Sequence, residues 1–500
     1  MLRPVVASLM LLVLAVTGVS IAALQEEGAQ AIDPAPPVPR EDVFFTGEVL
    51  APSGNVIEFS VLFMPRGETE WDGALTIGAQ GIIDEPVHVE TFDQQILQFR
   101  WEPNSLHESQ FPVWLVRFTE VDASGLPSKA EGKFVQSGNV IDLTMQRRNA
   151  PVGGQRLRPQ HPVAPYPYQV EDVVFESEET GVFLSGTLTI PEGEGPFPAM
   201  FLVSGSGPQD RDSLIFGHRP FLVWADEWTR RGIAVLRYDD RGHGRSQGDL
   251  RTATTFSFAR DAVGAHRFLA QRPEVDASRI GVFGHSEGAI VAAFLQGRVE
   301  SACYVLACGP AVSGLDVSAL QATDIHRRNN MPDEIVDDFD QKNRAALRAA
   351  RDSAPREELV QYMIDALDVV MSPDLPERET ALQDAAQLHA NQLAIPWVRT
   401  WLNLDPTTAY TRLDAPTLAI FGELDTQVPP EHNLVAMRTA LRDAPADDTT
   451  VEVFPQLNHL LQPAESGKVD EYLDIETTID PDAIEFVSAW IAQRLAATPE

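Results

Sequence analysis

From about residue 168 onward, apolar runs of strand length alternate with helical patterns. "EDVVFES", "GVFLSGTLTI", "AMFLVSG", "IAVLRYD", "RIGVFGH", "CYVLACG", "TLAIFG" and "TVEVFP" are separated by stretches such as "FSFARDAVGAHRFLAQR" and "EGAIVAAFLQGRV". A strand that is apolar at nearly every position has both faces buried, and helices between such strands supply the cover. This part of the chain is therefore expected to form a mostly parallel sheet with helices on both sides. Asp480 as N-cap, Pro481 at the first helical position and Ile484, Val487 and Ile491 on one face mark a closing helix. Between Gly309 and Pro416 the alternation stops, and "PDEIVDDFDQKNRAALRAARDS", "REELVQYMIDALDVVM" and "RETALQDAAQLHANQ" read as helices. An insertion of that length between two strands is expected to be a helical cap, about residues 312–412, over the sheet edge where open α/β sheets bind ligands.

One join in this pattern carries chemistry. "GHSEGA", residues 284–289, lies between the strand "RIGVF" and a helix. G-x-S-x-G alone is weak, since 33 glycines in 500 residues make chance matches common. Here its flanks make it an elbow, with Ser286 at positive φ and glycines at 284 and 288, where any side chain would collide across the turn. A serine hydroxyl needs a histidine to take its proton and a carboxylate to hold that histidine's tautomer. Asp425 follows the strand in "PTLAIFGELDTQVPP", and His459 follows the strand in "TVEVFPQLNHLLQ". Ser286, Asp425 and His459 stand in the chain order that a nucleophile elbow on a parallel sheet requires. Glu423, on the same loop as Asp425, is the alternative acid. His432 is expected at the surface, His285 in packing beside the serine, and His243 of "YDDRGHGRS" in a turn that could line the pocket.

A tetrahedral intermediate needs two backbone N–H donors aimed at its oxyanion. One is expected from Glu287, which acts through its backbone, and the other from Ser206 or Gly207 in "SGSGPQDRD"; Pro208 has no N–H. Such chemistry needs no metal and no organic cofactor, and the chain carries no Cys/His metal spacing.

The N-terminal third has a different texture. Residues 1–31 hold one cation, Arg3, an apolar stretch from Val5 to Leu24, and small residues suited to cleavage at Ala29-Gln30-Ala31 or Ser20-Ile21-Ala22. They read as a signal peptide for export to a bacterial periplasm or the exterior, with an uncleaved membrane anchor as the alternative. Residues 42–147 show short alternating runs, from "NVIEFSVLFM" to "VIDLTMQ", without helical patterns, and are expected to form an antiparallel sandwich or small barrel. Residues 148–168 form a proline-rich linker to the domain of residues 169–500. The two cysteines, Cys303 and Cys308, share a predicted strand whose five-residue span is roughly 16 Å, too far to bridge, so both are expected as core residues. With 38 basic against 73 acidic residues, a formal charge of -35 repels nucleic acid and anionic lipid, and neither is an expected partner.

"GPFPAMFLVSGSGPQDRD", "WTRRGIAVLRYDDRGHGRS", "RPEVDASRIGVFGHSEGA", "WVRTWLNLDPTTAYTRLDAPTLAIFGELDTQVPP" and "FPQLNHLLQ" resemble secreted bacterial α/β-hydrolases of the serine aminopeptidase-like group, whose characterised members are carboxylesterases. The resemblance spans about residues 168–495. It implies an α/β-hydrolase fold with a helical cap behind a small all-β domain, and Ser286, Asp425 and His459 as a catalytic triad. It also implies a small-molecule ester as substrate. Two departures stand out: Ser204-Gly205 replaces the histidine-glycine pair common at the oxyanion loop, and the cap has no close counterpart. A serine aminopeptidase and a non-catalytic ligand-binding protein on the same fold are the other readings.

Overall fold

A computed structural model describes residues 43–496, apart from 51–55, 66–70, 78–81, 93–95, 102–111, 122–126, 137–138, 149–157, 329–330, 374–377 and 473. The signal-peptide segment and most of the first half of the expected linker lie outside the described residues. The chain divides into two compact units, Met1–Leu157 with Ile215–Gly217, and Arg158–Leu214 with His218–Glu500.

The first unit is a closed barrel of eight strands. They are β1 (Val43–Leu50), β2 (Val56–Pro65), β3 (Trp71–Ile77), β4 (Ile82–Phe92), β5 (Ile96–Trp101), β6 (Val113–Val121), β7 (Pro127–Gln136) and β8 (Asn139–Arg148). Each pairs antiparallel with the next, and β1 closes on β8 with Gly47 opposite Met145. Of the two architectures that alternation allows, the barrel is the one formed. Its inner face is filled by aromatic rings: Phe99 stacks on Trp114 at 4.9 Å and Trp71 on Phe92 at 4.3 Å. Eight strands enclose just enough room for such side chains.

The second unit carries an eight-stranded sheet and eleven α-helices among its described residues. The strands are β9 (Tyr168–Glu176), β10 (Phe183–Pro191), β11 (Phe197–Val203), β12 (Ala234–Tyr238), β13 (Val275–His285), β14 (Tyr304–Ala307), β15 (Thr417–Gly422) and β16 (Thr449–Phe454). Their order is β16-β15-β14-β13-β11-β12-β10-β9, and only the pairs made by β10 are antiparallel. Alternate residues of the fully buried strands feed two cores. Met200, Leu202, Phe283, Val305 and Ile420 pack on α1 (Pro220–Arg230) and α11 (Pro481–Arg494). Phe201, Val203, Val282, Leu306 and Phe421 pack with α2 (Thr255–Ala270), α3 (Glu287–Ala293) and α10 (Pro430–Arg442). At the start of α11, Asp480 accepts from the N–H groups of Asp482 and Ala483, satisfying donors that a helix leaves unpaired.

From β11 the chain passes to β12 on one side and then to β13 on the other, which opens a crevice at the strand ends, where such sheets bind ligands. Six helices follow β14: α4 (Gly314–Arg328), α5 (Asp333–Arg351), α6 (Arg356–Val370), α7 (Arg378–Leu393), α8 (Pro396–Leu402) and α9 (Thr407–Tyr410). They form the helical cap inserted before β15.

Candidate active site

Strand register decides which loops meet. Val203 of β11 pairs with Gly284 of β13, so Ser204-Gly205 leaves the sheet beside His285-Ser286. Ser286 follows β13 directly and has φ 55° and ψ -121°, the strained backbone of a strand turning sharply into a helix. The turn tolerates only glycine on either side. A Cβ on Gly284 would lie 2.1 Å from the Gly288 carbonyl oxygen, and one on Gly288 would lie 2.3 Å from that of Val203. The Ser286 N–H donates to the Ala307 carbonyl at 2.8 Å, tying the elbow to β14. The side chain of Ser286 is half-buried at the crevice.

Asp425 and His459 come together two strands away. Gly422 of β15 pairs with Phe454 of β16, and both loops rise from the same end of the sheet. Asp425 Oδ1 accepts the Gln427 and Val428 N–H groups, both at 2.8 Å, which leaves Oδ2 to accept from His459 Nδ1 at 2.7 Å. Both side chains are buried. Asn458 fixes the histidine loop from within, its Oδ1 accepting from the N–H groups of Leu460 and Gln462. Glu423 instead accepts from the Gln456 N–H at 3.0 Å. Among the described residues no hydrogen bond joins Ser286 Oγ to the His459 ring, whose Nδ1 is bonded to Asp425.

His285 has a role its sequence position did not reveal. Its Nε2 donates to the His459 carbonyl at 2.9 Å, and the two rings lie 4.7 Å apart. Burial, and then the neighbouring His459, push its pKa down to about 4, so the ring is neutral at pH 7. His285 thus holds the backbone of His459 against the elbow. His432 is exposed in the first turn of α10, and His243 is half-buried in a turn, its N–H donating to the Asp240 carbonyl.

On the loop after β11, Gly205 lies close to the serine: a Cβ there would lie 3.1 Å from Ser286 Cβ. Ser206 and Gly207 are exposed, and Gly207 has φ 91°. Glu287, expected to matter chiefly through its backbone, also engages its side chain. Its buried carboxyl accepts from Thr255 Oγ1 of α2 at 2.5 Å and from Trp397 Nε1 of α8 at 2.9 and 3.1 Å. Burial pushes its pKa up to about 7. Trp397 stacks on Trp401, whose Nε1 donates to Ser318 Oγ of α4, so the residue after the serine is the point where the cap is bonded to the elbow.

His285, Cys308 and His459 offer ligand atoms within 4.8 Å of one another, the one such group among the described residues. His285 Nε2 and His459 Nδ1 are already engaged, and burial pushes the Cys308 thiol well above its usual range. A cation held by the other nitrogen of each ring would still have to deprotonate that buried thiol to bind there. Cys303 and Cys308 are both free and buried.

Residues 221–465, which include Ser286, Asp425 and His459, match the family model described as serine aminopeptidase, S33. Esterase EstD of Thermotoga maritima is 26% identical over 362 residues, covering 71% of this chain and 77% of that protein. Esterase FrsA of Enterobacter sp. (strain 638) is 28% identical over 240 residues, covering 45% of this chain; the match spans 54% of that protein, about half its length. Among solved structures, an esterase of Pyrococcus furiosus is 17% identical, covering 68% of this chain and 97% of its own, with a TM-score of 0.40. A mostly parallel sheet with a serine elbow after its central strand β13 is the α/β-hydrolase fold, and in sequence the chain is similar to the serine aminopeptidase S33 family and to proteins named esterases.

Proposed function

We propose that this chain is an exported serine hydrolase that cleaves small-molecule carboxylic esters through Ser286, His459 and Asp425. The observation that carries the reading is the buried hydrogen bond of 2.7 Å between His459 Nδ1 and Asp425 Oδ2, held at the same sheet edge as a positive-φ serine. With Nδ1 donating to the carboxylate, the lone pair of Nε2 is left to take a proton. His459 Nε2 removes the Ser286 hydroxyl proton as Oγ bonds to the ester carbonyl carbon, and the carbonyl π pair moves onto oxygen. The N–H of Glu287 and one from the 205–207 segment receive that oxyanion. When the pair returns, the C–O bond to the alcohol breaks, and the leaving oxygen takes the proton from His459. Water then repeats the sequence on the acyl-serine, releasing the acid and restoring Ser286. Asp425 holds the imidazole orientation and stabilises the imidazolium that forms at each step.

Ester rather than peptide cleavage is favoured by the names of the relatives and by the cap. Of the α5 acids that could have held a substrate ammonium, Asp333, Glu334, Asp337 and Asp338 are exposed, with Asp338 paired to Lys342 at 2.9 Å, and the half-buried Asp340 is paired to Arg344 at 2.8 Å. Export rests on the apolar stretch from Val5 to Leu24; no helix among the described residues is long and apolar enough to cross a membrane. Initial rates on p-nitrophenyl acetate and butyrate, against alanine and proline p-nitroanilides, test the reading. Faster ester turnover is expected. Faster anilide turnover makes the protein a peptidase, and turnover of neither makes it a binding protein.

A further inference from the structure

The "YDDRGHGRS" stretch takes no part in the chemistry above, yet it places three consecutive charged side chains in the interior just past β12. Asp239, Asp240 and Arg241 are each about 5% exposed or less. Arg241 points to α2, and both aspartates point to the loop that joins β11 to α1. Arg241 forms a two-bonded pair with Asp261 of α2, with both N–O distances at 2.7 Å. Asp239 holds Arg211, accepting from its backbone N–H at 2.9 Å and from its guanidinium at 3.0 and 2.7 Å. Asp240 reaches the loop after β11 at two points. Its Oδ1 accepts from Ser204 Oγ at 2.7 Å, its Oδ2 accepts from the Gln209 N–H at 2.9 Å, and its own N–H donates to the Gln209 carbonyl at 3.0 Å.

Those contacts bracket Gly205-Ser206-Gly207-Pro208, the segment expected to supply the second oxyanion donor. Within the segment, Ser206, Gly207 and Pro208 are exposed, two of the four residues are glycine, and the Ser206 carbonyl accepts from Gln209 Nε2 at 3.4 Å. We propose that Asp240 is a positioning residue for the oxyanion donor, closing the Ser204–Gln209 segment between its two carboxyl oxygens so that a backbone N–H faces the carbonyl bound at Ser286. Ser204, which stands where related loops carry histidine, is the side chain through which Asp240 acts. A preorganised donor contributes only if it is already aimed when charge develops, so a looser loop lowers turnover more than substrate binding.

The inference rests on the proposed hydrolase reading, and its test separates the two. Ser204→Ala removes one anchor and little volume. Asp240→Asn keeps an acceptor for Ser204 but sets an amide N–H₂ against the Gln209 N–H. On p-nitrophenyl butyrate, each variant is expected to lose about 10- to 100-fold in kcat with KM within about twofold. Each should also bind a trifluoromethyl ketone, whose adduct with Ser286 carries the same oxyanion, more weakly by a similar factor. Ser204→Thr, which keeps the hydroxyl, should recover most of the loss. Should Asp240→Asn fail to fold, Ser204→Ala decides the matter alone. Folded variants with wild-type kcat, or with lowered kcat and undiminished ketone affinity, overturn the assignment. Wild-type protein without ester turnover overturns the parent reading, and this one with it.

Discussion

Asp425 and Glu423 stand two residues apart on one loop, and their partners separate them. Asp425 spends one oxygen on the turn that carries it and presents the other to His459, whereas Glu423 is committed to the Gln456 backbone. Replacing Asp425 by Asn leaves the shape intact but allows the wrong imidazole tautomer, so kcat should fall on the order of 10⁴-fold while thermal stability changes little. Glu423→Gln should stay within a few-fold of wild type. Steady-state rates and melting curves of the two variants check this, and a reversed pattern would make Glu423 the acid. The positions of Ser286, Asp425 and His459 relative to strands were legible in the sequence because each lies just past an apolar run. The bonds made by His285 and Ser204 were not, since their partners are 174 and 36 residues away and depend on register.

Between elements, the Glu287 carboxyl joins α2, α3 and the cap helix α8, and it does so buried and without a cation among its bonded partners. Its pKa is raised from 4.5 to about 7, so across that window the folded chain keeps a proton that the unfolded chain has released. Its contribution to stability is therefore greatest at and below pH 4.5 and is lost as pH rises to about 7, by on the order of 3 kcal/mol. Glu287→Gln removes that titration. The melting temperature of the variant, relative to wild type, should climb by on the order of 5 °C between pH 4.5 and 7. A pH-independent difference would mean that the carboxyl titrates normally. Elements with both faces buried, such as β11 and β13 to β15, were plain from their apolar runs. β1 was not singled out, because Thr46, Gly47 and Glu48 break its run and it is completed only by pairing with β2 and β8.

At the scale of the whole molecule, each of the two units has its own hydrophobic core among the described residues. The barrel core is built from residues between Val43 and Met145, and the two cores flanking the sheet contain only residues from Val173 onward. A unit with its own core is expected to fold alone. A chain of residues 158–500 should therefore melt in a single transition and keep ester turnover within about an order of magnitude of the full protein. A molten or insoluble product, seen by near-UV circular dichroism, would contradict that separation. Sandwich and barrel could not be told apart from sequence, because both give alternating strands and differ only in whether the first strand pairs with the last.

The account turns on Ser286 being a nucleophile activated by His459. Intact-mass measurement after exposure to a fluorophosphonate probe tests this most directly. One adduct is expected on wild type, on the peptide that carries Ser286, with strongly slowed labelling in His459→Ala and none in Ser286→Ala. An unlabelled wild type, or equal labelling of the Ser286→Ala variant, would contradict it.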